Sequence, residues 1–211
     1  MPSRFPNLRH VDHPLIRHKV SRLRDRTTPP HEFRRVLSEV AGLMTYEVCR
    51  ELETGPVEVE TPLERTTAHR LIHPITIVPV LRAGLGMTQG ILQLIPEARV
   101  GHIGVRRDEL SGKPEGYYVK LPPDVGAGPV LLVDPMLATG GSAAHAFNLL
   151  QGAGCTDLRL VCLVAAPEGV ARLGREFPNI RIYTASLDRE LDSRLFIRPG
   201  LGDAGDRCFD T

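Results

Sequence analysis

Short apolar runs alternate along this chain with longer segments whose apolar residues recur every three or four positions. Ile75–Leu81, Val100–Val105, Val130–Val133, Leu158–Ala166 and Ile180–Ala185 are dense in Val, Ile and Leu, the composition of strands buried on both faces. Helical spacing follows three of these runs. Leu85–Leu94 reads as a helix that stops before Pro96. Ala143, Ala144, Ala146, Phe147, Leu149 and Leu150 make a second, ending at Gly152-Ala153-Gly154. Pro167-Glu168-Gly169 opens a third, carrying Val170, Leu173 and Phe177. Strands alternating with helices of this length predict βαβ units with right-handed crossovers, and so an α/β fold: a parallel twisted sheet flanked by helices.

Two regions depart from that alternation. Before it, Leu15, Ile16, Val20 and Leu23 mark a short amphipathic helix with a basic outer face. Thr28-Pro29-Pro30 then signals a helix start, with Thr28 as N-cap, and apolar residues from Phe33 to Val48 carry that helix to about Leu52. These two helices predict an arm, within residues 1–56, packed on the main domain or on a second subunit. Val57–Pro62 alternates apolar and acidic residues like an edge strand or hairpin arm, and Arg65–His73 reads as a solvated loop or helix face. Within the alternation, Val100–Val105 and the alternating Tyr117–Leu121 flank a polar, glycine-containing connection, which predicts a β-hairpin or flap.

The totals narrow the field without deciding it. At 211 residues, 42% hydrophobic and 24% charged, the chain suits a single domain with an ordinary core. A formal net charge of +1 gives no electrostatic reason to expect nucleic acid or a membrane as partner. The first residues lack the apolar core of a signal peptide, and no apolar run approaches the ~20 residues of a membrane helix, so a cytoplasmic location is expected. Four cysteines show no metal-type spacing; Cys155 and Cys162 are expected buried and reduced, and Cys208 exposed.

Candidate chemistry gathers at Val130–Ser142. A buried strand ends at Asp134-Pro135, and Thr139-Gly140-Gly141-Ser142 turns into a helix. Outward-facing N–H groups at a glycine turn, the positive end of a helix dipole and two hydroxyls make an anion site. The aspartate ahead of it suits hydroxyls or a metal, so a phosphorylated sugar fits both. In an open parallel sheet ligands sit beyond the carboxyl ends of the strands. Arg82-Ala83-Gly84 and Arg106-Arg107-Asp108-Glu109 also follow strand ends and share that rim, which suggests a ligand with two anionic ends. After Asp188 the pattern breaks into Leu195–Pro199 and a glycine-rich acidic loop, Gly200–Asp206. That loop is either a flexible tail or a backbone-lined pocket for a flat ligand.

The run Val133–Ser142 resembles the 5-phosphoribosyl 1-diphosphate (PRPP) motif of type I phosphoribosyltransferases, and its Asp-Pro-Met-Leu-Ala-Thr-Gly-Gly-Ser form is similar to that of the uracil phosphoribosyltransferase family. Pro79–Met87, Leu163–Gly169, Pro199–Asp206, His13-Pro14-Leu15 and Leu43–Glu47 resemble the same family, so the likeness covers the chain from about Val11 onward. It implies the type I phosphoribosyltransferase fold and the salvage reaction uracil + PRPP → UMP + pyrophosphate, with Mg2+. Carried over position by position, Asp134, Pro135, Met136, Leu137, Ala138, Thr139, Gly140, Gly141 and Ser142 would bind PRPP, with Asp134 facing the ribose hydroxyls. Arg82 and Arg107 would hold the pyrophosphate, and Asp203 would lie near pyrophosphate and metal. Arg107 and Asp203 are the expected catalytic residues. Ile197, Gly202, Asp203 and Ala204, within a base-binding segment 195–211, would read uracil. Mg2+ would arrive mainly on PRPP, with no protein ligand directly assigned. GTP is a candidate effector, and a homodimer or homotetramer is expected. Two other readings remain at this point: a regulatory protein that keeps the fold and binds RNA or a nucleotide, disfavoured by the net charge, and an enzyme for another base.

Overall fold

Strand and helix alternate through residues 5–107 and 114–211, the residues that the computed structural model describes. In chain order they are β1 (Leu8–His10), α1 (Pro14–Arg24), α2 (Pro30–Val48), β2 (Thr54–Glu60), β3 (Arg65–Leu71), β4 (Thr76–Leu81), α3 (Leu85–Leu94), β5 (Arg99–Val100), β6 (His102–Arg107) and β7 (Pro114–Lys120). A short 3-10 turn at Val125–Ala127 leads to β8 (Val130–Val133), β9 (Met136–Leu137), α4 (Gly141–Gly152), β10 (Leu158–Ala165), α5 (Pro167–Glu176), β11 (Arg181–Leu187), β12 (Glu190–Leu191), β13 (Ile197–Arg198) and α6 (Ala204–Phe209). The main sheet has the order β1-β11-β10-β8-β4-β6-β7. Its pairings are parallel except at β7, which runs antiparallel to β6 and makes the expected flap hairpin.

Alternation along the central strands explains why helices cover both faces. Ile77, Leu131, Val133, Val161 and Leu163 point to one core, shared with α1, α2 and α3. Val78, Val80, Leu132, Leu160 and Cys162 point to the other, shared with α4 and α5. Successive residues thus serve opposite layers, which is why these runs carry no polar face. The amino-terminal helices belong to the first layer: Phe33, Leu37, Val40 and Met44 of α2 are fully buried there beside Met87 and Ile91 of α3.

Several expectations need correction. Arg65–Leu71 is a strand, not a loop or helix face, paired antiparallel with β2 in a separate two-stranded sheet. Its polarity follows from exposure, because Leu71 alone of β3 packs against a core cluster. The run Val100–Val105 is broken at Gly101, where β5 gives way to β6, although both pair with β4. Pro29 rather than Thr28 caps α2, since the Thr28 hydroxyl donates to the Arg22 carbonyl at 2.6 Å, and the helix ends at Val48. Residues 204–209 form a helix where a flexible tail was one reading, and Cys208 is buried within it. The edge strand β1, three residues long, went unpredicted. Cys155 and Cys162 are buried, and burial pushes the Cys162 thiol up to about 12. Among the described residues, no helix is long and apolar enough to cross a membrane.

Candidate active site

The Thr139–Ser142 turn forms because β8 stops and the chain re-enters the sheet one step later. The Pro135 carbonyl accepts the N–H groups of Leu163 and Val164, at 3.1 and 3.0 Å, and β9 then pairs with β10. The Asp134 N–H still donates to the Val161 carbonyl of β10 at 3.2 Å, while its Oδ1 accepts the Met136 N–H at 3.3 Å. Gly140 has φ +76°, the left-handed region that a side chain disfavours, and it caps α4. The first N–H groups of α4 have no intrahelical acceptor and face the turn. The Thr139 hydroxyl accepts the Gly141 N–H at 3.4 Å, which holds the turn shut. A small cavity of about 50 Å³ lies over this turn, lined by Asp134 and by Met136 through Ala143.

A larger cavity of about 400 Å³ adjoins it, and the two share Asp134, Met136, Ala138 and Ser142. One wall of the larger cavity is Arg82 and Ala83, where β4 turns into α3 through a cis Leu81–Arg82 peptide. That turn is tight: a Cβ on Gly84 would stand 2.4 Å from the Val133 carbonyl, so only glycine lets α3 start against β8. Arg82 is exposed, its guanidinium over the Phe209 ring of α6 at 5.8 Å, and among the described residues it has no ion-pair partner. The opposite wall is Arg194 through Ile197 and Gly202 through Gly205. Asp203 caps α6 by accepting the Asp206 N–H at 3.0 Å.

Burial drives the Asp134 carboxyl up to about 7, reinforced by the negative charge of Asp203 and opposed by the Met136 N–H. It is half-buried and lines both cavities. A carboxyl so placed exchanges its proton near neutrality and accepts hydroxyl donors when ionised.

The structure therefore brings Arg82, Asp134, Met136, Leu137, Ala138, Thr139, Gly140, Gly141, Ser142, Ile197, Gly202, Asp203 and Ala204 to two adjoining cavities. Pro135 lines neither; its place is in the sheet. Arg107 ends β6, and its side chain, like Asp108 and Glu109, lies outside the described residues. Sequence reasoning missed what holds the tail loop. Arg24 of α1 grips the buried Asp188 with both arms, at 2.8 and 2.6 Å, and donates to the Gly200 carbonyl at 2.7 Å. Asp188 also accepts the Ser186 hydroxyl and the Gly200 N–H, each at 2.8 Å. Burial alone would raise its carboxyl, but Arg24, Ser186 and Gly200 together hold it below the usual range. Asp188 follows a strand end, the same signal that marked Asp134. Nothing in the local sequence marks Arg24.

Comparison with known proteins settles the family. A family model described as uracil phosphoribosyltransferase matches residues 10–211. The chain belongs to the uracil phosphoribosyltransferase family. A uracil phosphoribosyltransferase from Salinibacter ruber is 49% identical over 205 residues, covering 97% of this chain and 98% of that one. One from Staphylococcus carnosus is 53% identical over 204 residues, covering 96% and 98%. Among solved structures, a protein from Aquifex aeolicus superposes with a TM-score of 0.92 at 34% identity, covering 96% of this chain and 97% of its own. A hypoxanthine-guanine phosphoribosyltransferase from Bacillus anthracis, 13% identical with a TM-score of 0.52 over 74% of this chain and 79% of its own, shares the fold alone. The type I phosphoribosyltransferase fold expected from the sequence is the fold observed, and the cavities of this family member lie at its sheet rim.

Proposed function

We propose that this protein transfers the 5-phosphoribosyl group of PRPP to N1 of uracil, forming UMP and releasing pyrophosphate in pyrimidine salvage. The observation that carries this reading is the shared wall of the two cavities, which suits one ligand with a phosphate end and a base end. In this reading the turn Ala138–Ser142 holds the 5′-phosphate, with the Thr139 and Ser142 hydroxyls beside the α4 N–H groups. Asp134, between the cavities, accepts the ribose hydroxyls. Arg82, free of any ion pair among the described residues, takes the pyrophosphate, together with Arg107. Uracil is flat and neutral, and main-chain groups of Ile197, Gly202 and Ala204 match its alternating donors and acceptors. Fixed backbone dipoles need no reorganisation as charge develops, and an unmatched buried polar group rejects the wrong base.

Mg2+ fits as a passenger of PRPP. Among the described residues no group of three or more His, Cys, Asp and Glu side chains could hold a metal. The cavity carboxylates Asp134 and Asp203 supply the oxygen donors such a hard cation takes. When bound, Mg2+ would neutralise charge on the departing pyrophosphate.

Assembly, regulation and location complete the reading. Among the described residues the β2–β3 hairpin pairs with no other strand, and it and its flank expose Leu63, Val59 and Ile72. Isolated hairpins are marginal in water, which supports a homodimer or homotetramer that packs this arm. GTP is the candidate effector, nucleic acid and membrane are not partners, and the enzyme works in the cytoplasm. The test is a base panel with PRPP and Mg2+, run with and without GTP. Uracil alone is expected to yield its nucleotide; product from hypoxanthine or orotate and none from uracil would refute the assignment.

A further inference from the structure

The base end of the larger cavity carries a cation that no role so far absorbs. Arg194 lines the cavity, and among the described residues its guanidinium has no ion-pair partner. It stacks over the Phe196 ring at 5.3 Å. Its neighbour Arg198 is committed elsewhere, bound to Asp192 at 2.5 Å. The turn that presents Arg194 is strained and braced. Leu195 has φ +64°, a left-handed conformation unusual for a branched side chain. One Asp192 oxygen accepts the N–H groups of both Arg194 and Phe196, at 2.9 and 3.0 Å. Strain of this kind persists where surroundings over-determine it and clusters at functional sites.

We propose that Arg194 is a further catalytic residue: its guanidinium stabilises the negative charge that spreads over the uracil ring as N1 loses its proton and attacks ribose C1′. This rests on the placement of the base against Ile197, Gly202 and Ala204. Uracil releases the N1 proton to water, the N1 electron pair forms the bond to C1′, and the C1′–oxygen bond breaks with its pair leaving on pyrophosphate. Charge develops on the uracil oxygens before the new bond is complete. A cation beside them is favoured more in that state than beside neutral uracil, which is the condition for raising turnover.

The test compares uracil with 5-fluorouracil, whose electron-withdrawing fluorine holds the developing charge within the ring. Arg194→Gln is expected to lower kcat/KM for uracil by about tenfold or more, the size of one charge-assisted hydrogen bond. The loss for 5-fluorouracil should be markedly smaller, with the KM of PRPP unchanged and part of the uracil activity kept by Arg194→Lys. Equal losses for the two bases, no loss, or a change confined to the KM of PRPP would overturn the proposal. Ala204→Val, which crowds the base end, separates the underlying placement: it should raise the KM of uracil. An unchanged KM there would overturn the placement itself.

Discussion

The phosphate cradle and the tail loop face each other across one cavity, yet they are built by opposite means. The cradle is contiguous: Asp134 through Ser142 supply its turn, its left-handed glycine and its helix start, and only the sheet beneath them comes from elsewhere. The tail is held from far away. Arg24 reaches Gly200 across 176 positions, Arg34 reaches the Cys208 carbonyl across 174, and Arg207 donates back to Leu23 across 184. Arg207 also stacks over Phe33 of α2 at 4.4 Å. An anion site needs only a short backbone conformation, because N–H groups and a helix dipole are intrinsic to it. The tail has no such intrinsic conformation, and distant arginines hold its backbone in place.

The largest expected effect breaks the tail's anchor. Arg24→Ala leaves Asp188, whose side chain is 2% exposed, without its charge partner. A loss of roughly 3 kcal/mol is expected in chemical denaturation, the range for removing one member of a buried pair, along with a higher uracil KM. Next comes the cradle. Gly140→Ala forces a side chain into the left-handed region, costing about 1–2 kcal/mol, and should weaken PRPP binding while sparing uracil.

Asp134 gives the pH signature of the wall between the two ends. Its folded carboxyl titrates at about 7, above the ordinary value of 3.8. Between those values the folded state holds an extra proton, so this group favours folding most at low pH, and that contribution is lost as pH rises through 7. If Asp134 accepts the ribose hydroxyls as proposed, binding has the opposite sense: PRPP affinity should rise with pH up to about 7 and then level. Calorimetry of PRPP binding from pH 5.5 to 8 checks this, and Asp134→Asn should flatten the curve.

The smallest effect sharpens the comparison at the base end. Leu195→Gly relieves a left-handed leucine worth about 1 kcal/mol but adds unfolded-state entropy of about 0.5–1 kcal/mol. Thermal unfolding should therefore show a change under about 1 kcal/mol, toward stability. A larger loss would mean that the leucine side chain itself holds the turn.

The same contrast governs how much the sequence revealed. Doubly buried strands announce themselves, since Val130–Val133 and Leu158–Ala165 have no polar face, and strand ends then locate the rim. The cradle was readable because its parts are consecutive. Arg65–Leu71 was unreadable as a strand because, exposed on most of its length, it has no apolar face to alternate. β1 is too short to carry a period, and its place is set by pairing with β11. The glycines and aspartates around α6 concealed a helix whose order comes from Arg24, Arg34 and Arg207. Arg24 and Arg34 look like any basic helix surface until the tail folds over them, and Arg207 belongs to that tail.

Steady-state KM values for both substrates in two variants test most directly whether the two ends are separate constructions of one site. Gly140→Ala is expected to raise the KM of PRPP about tenfold with the KM of uracil within about twofold of wild type. Arg24→Lys, which keeps the charge but loses the two-armed grip, is expected to do the reverse. Parallel changes in both constants in both variants would contradict a local phosphate end joined to a distantly anchored base end.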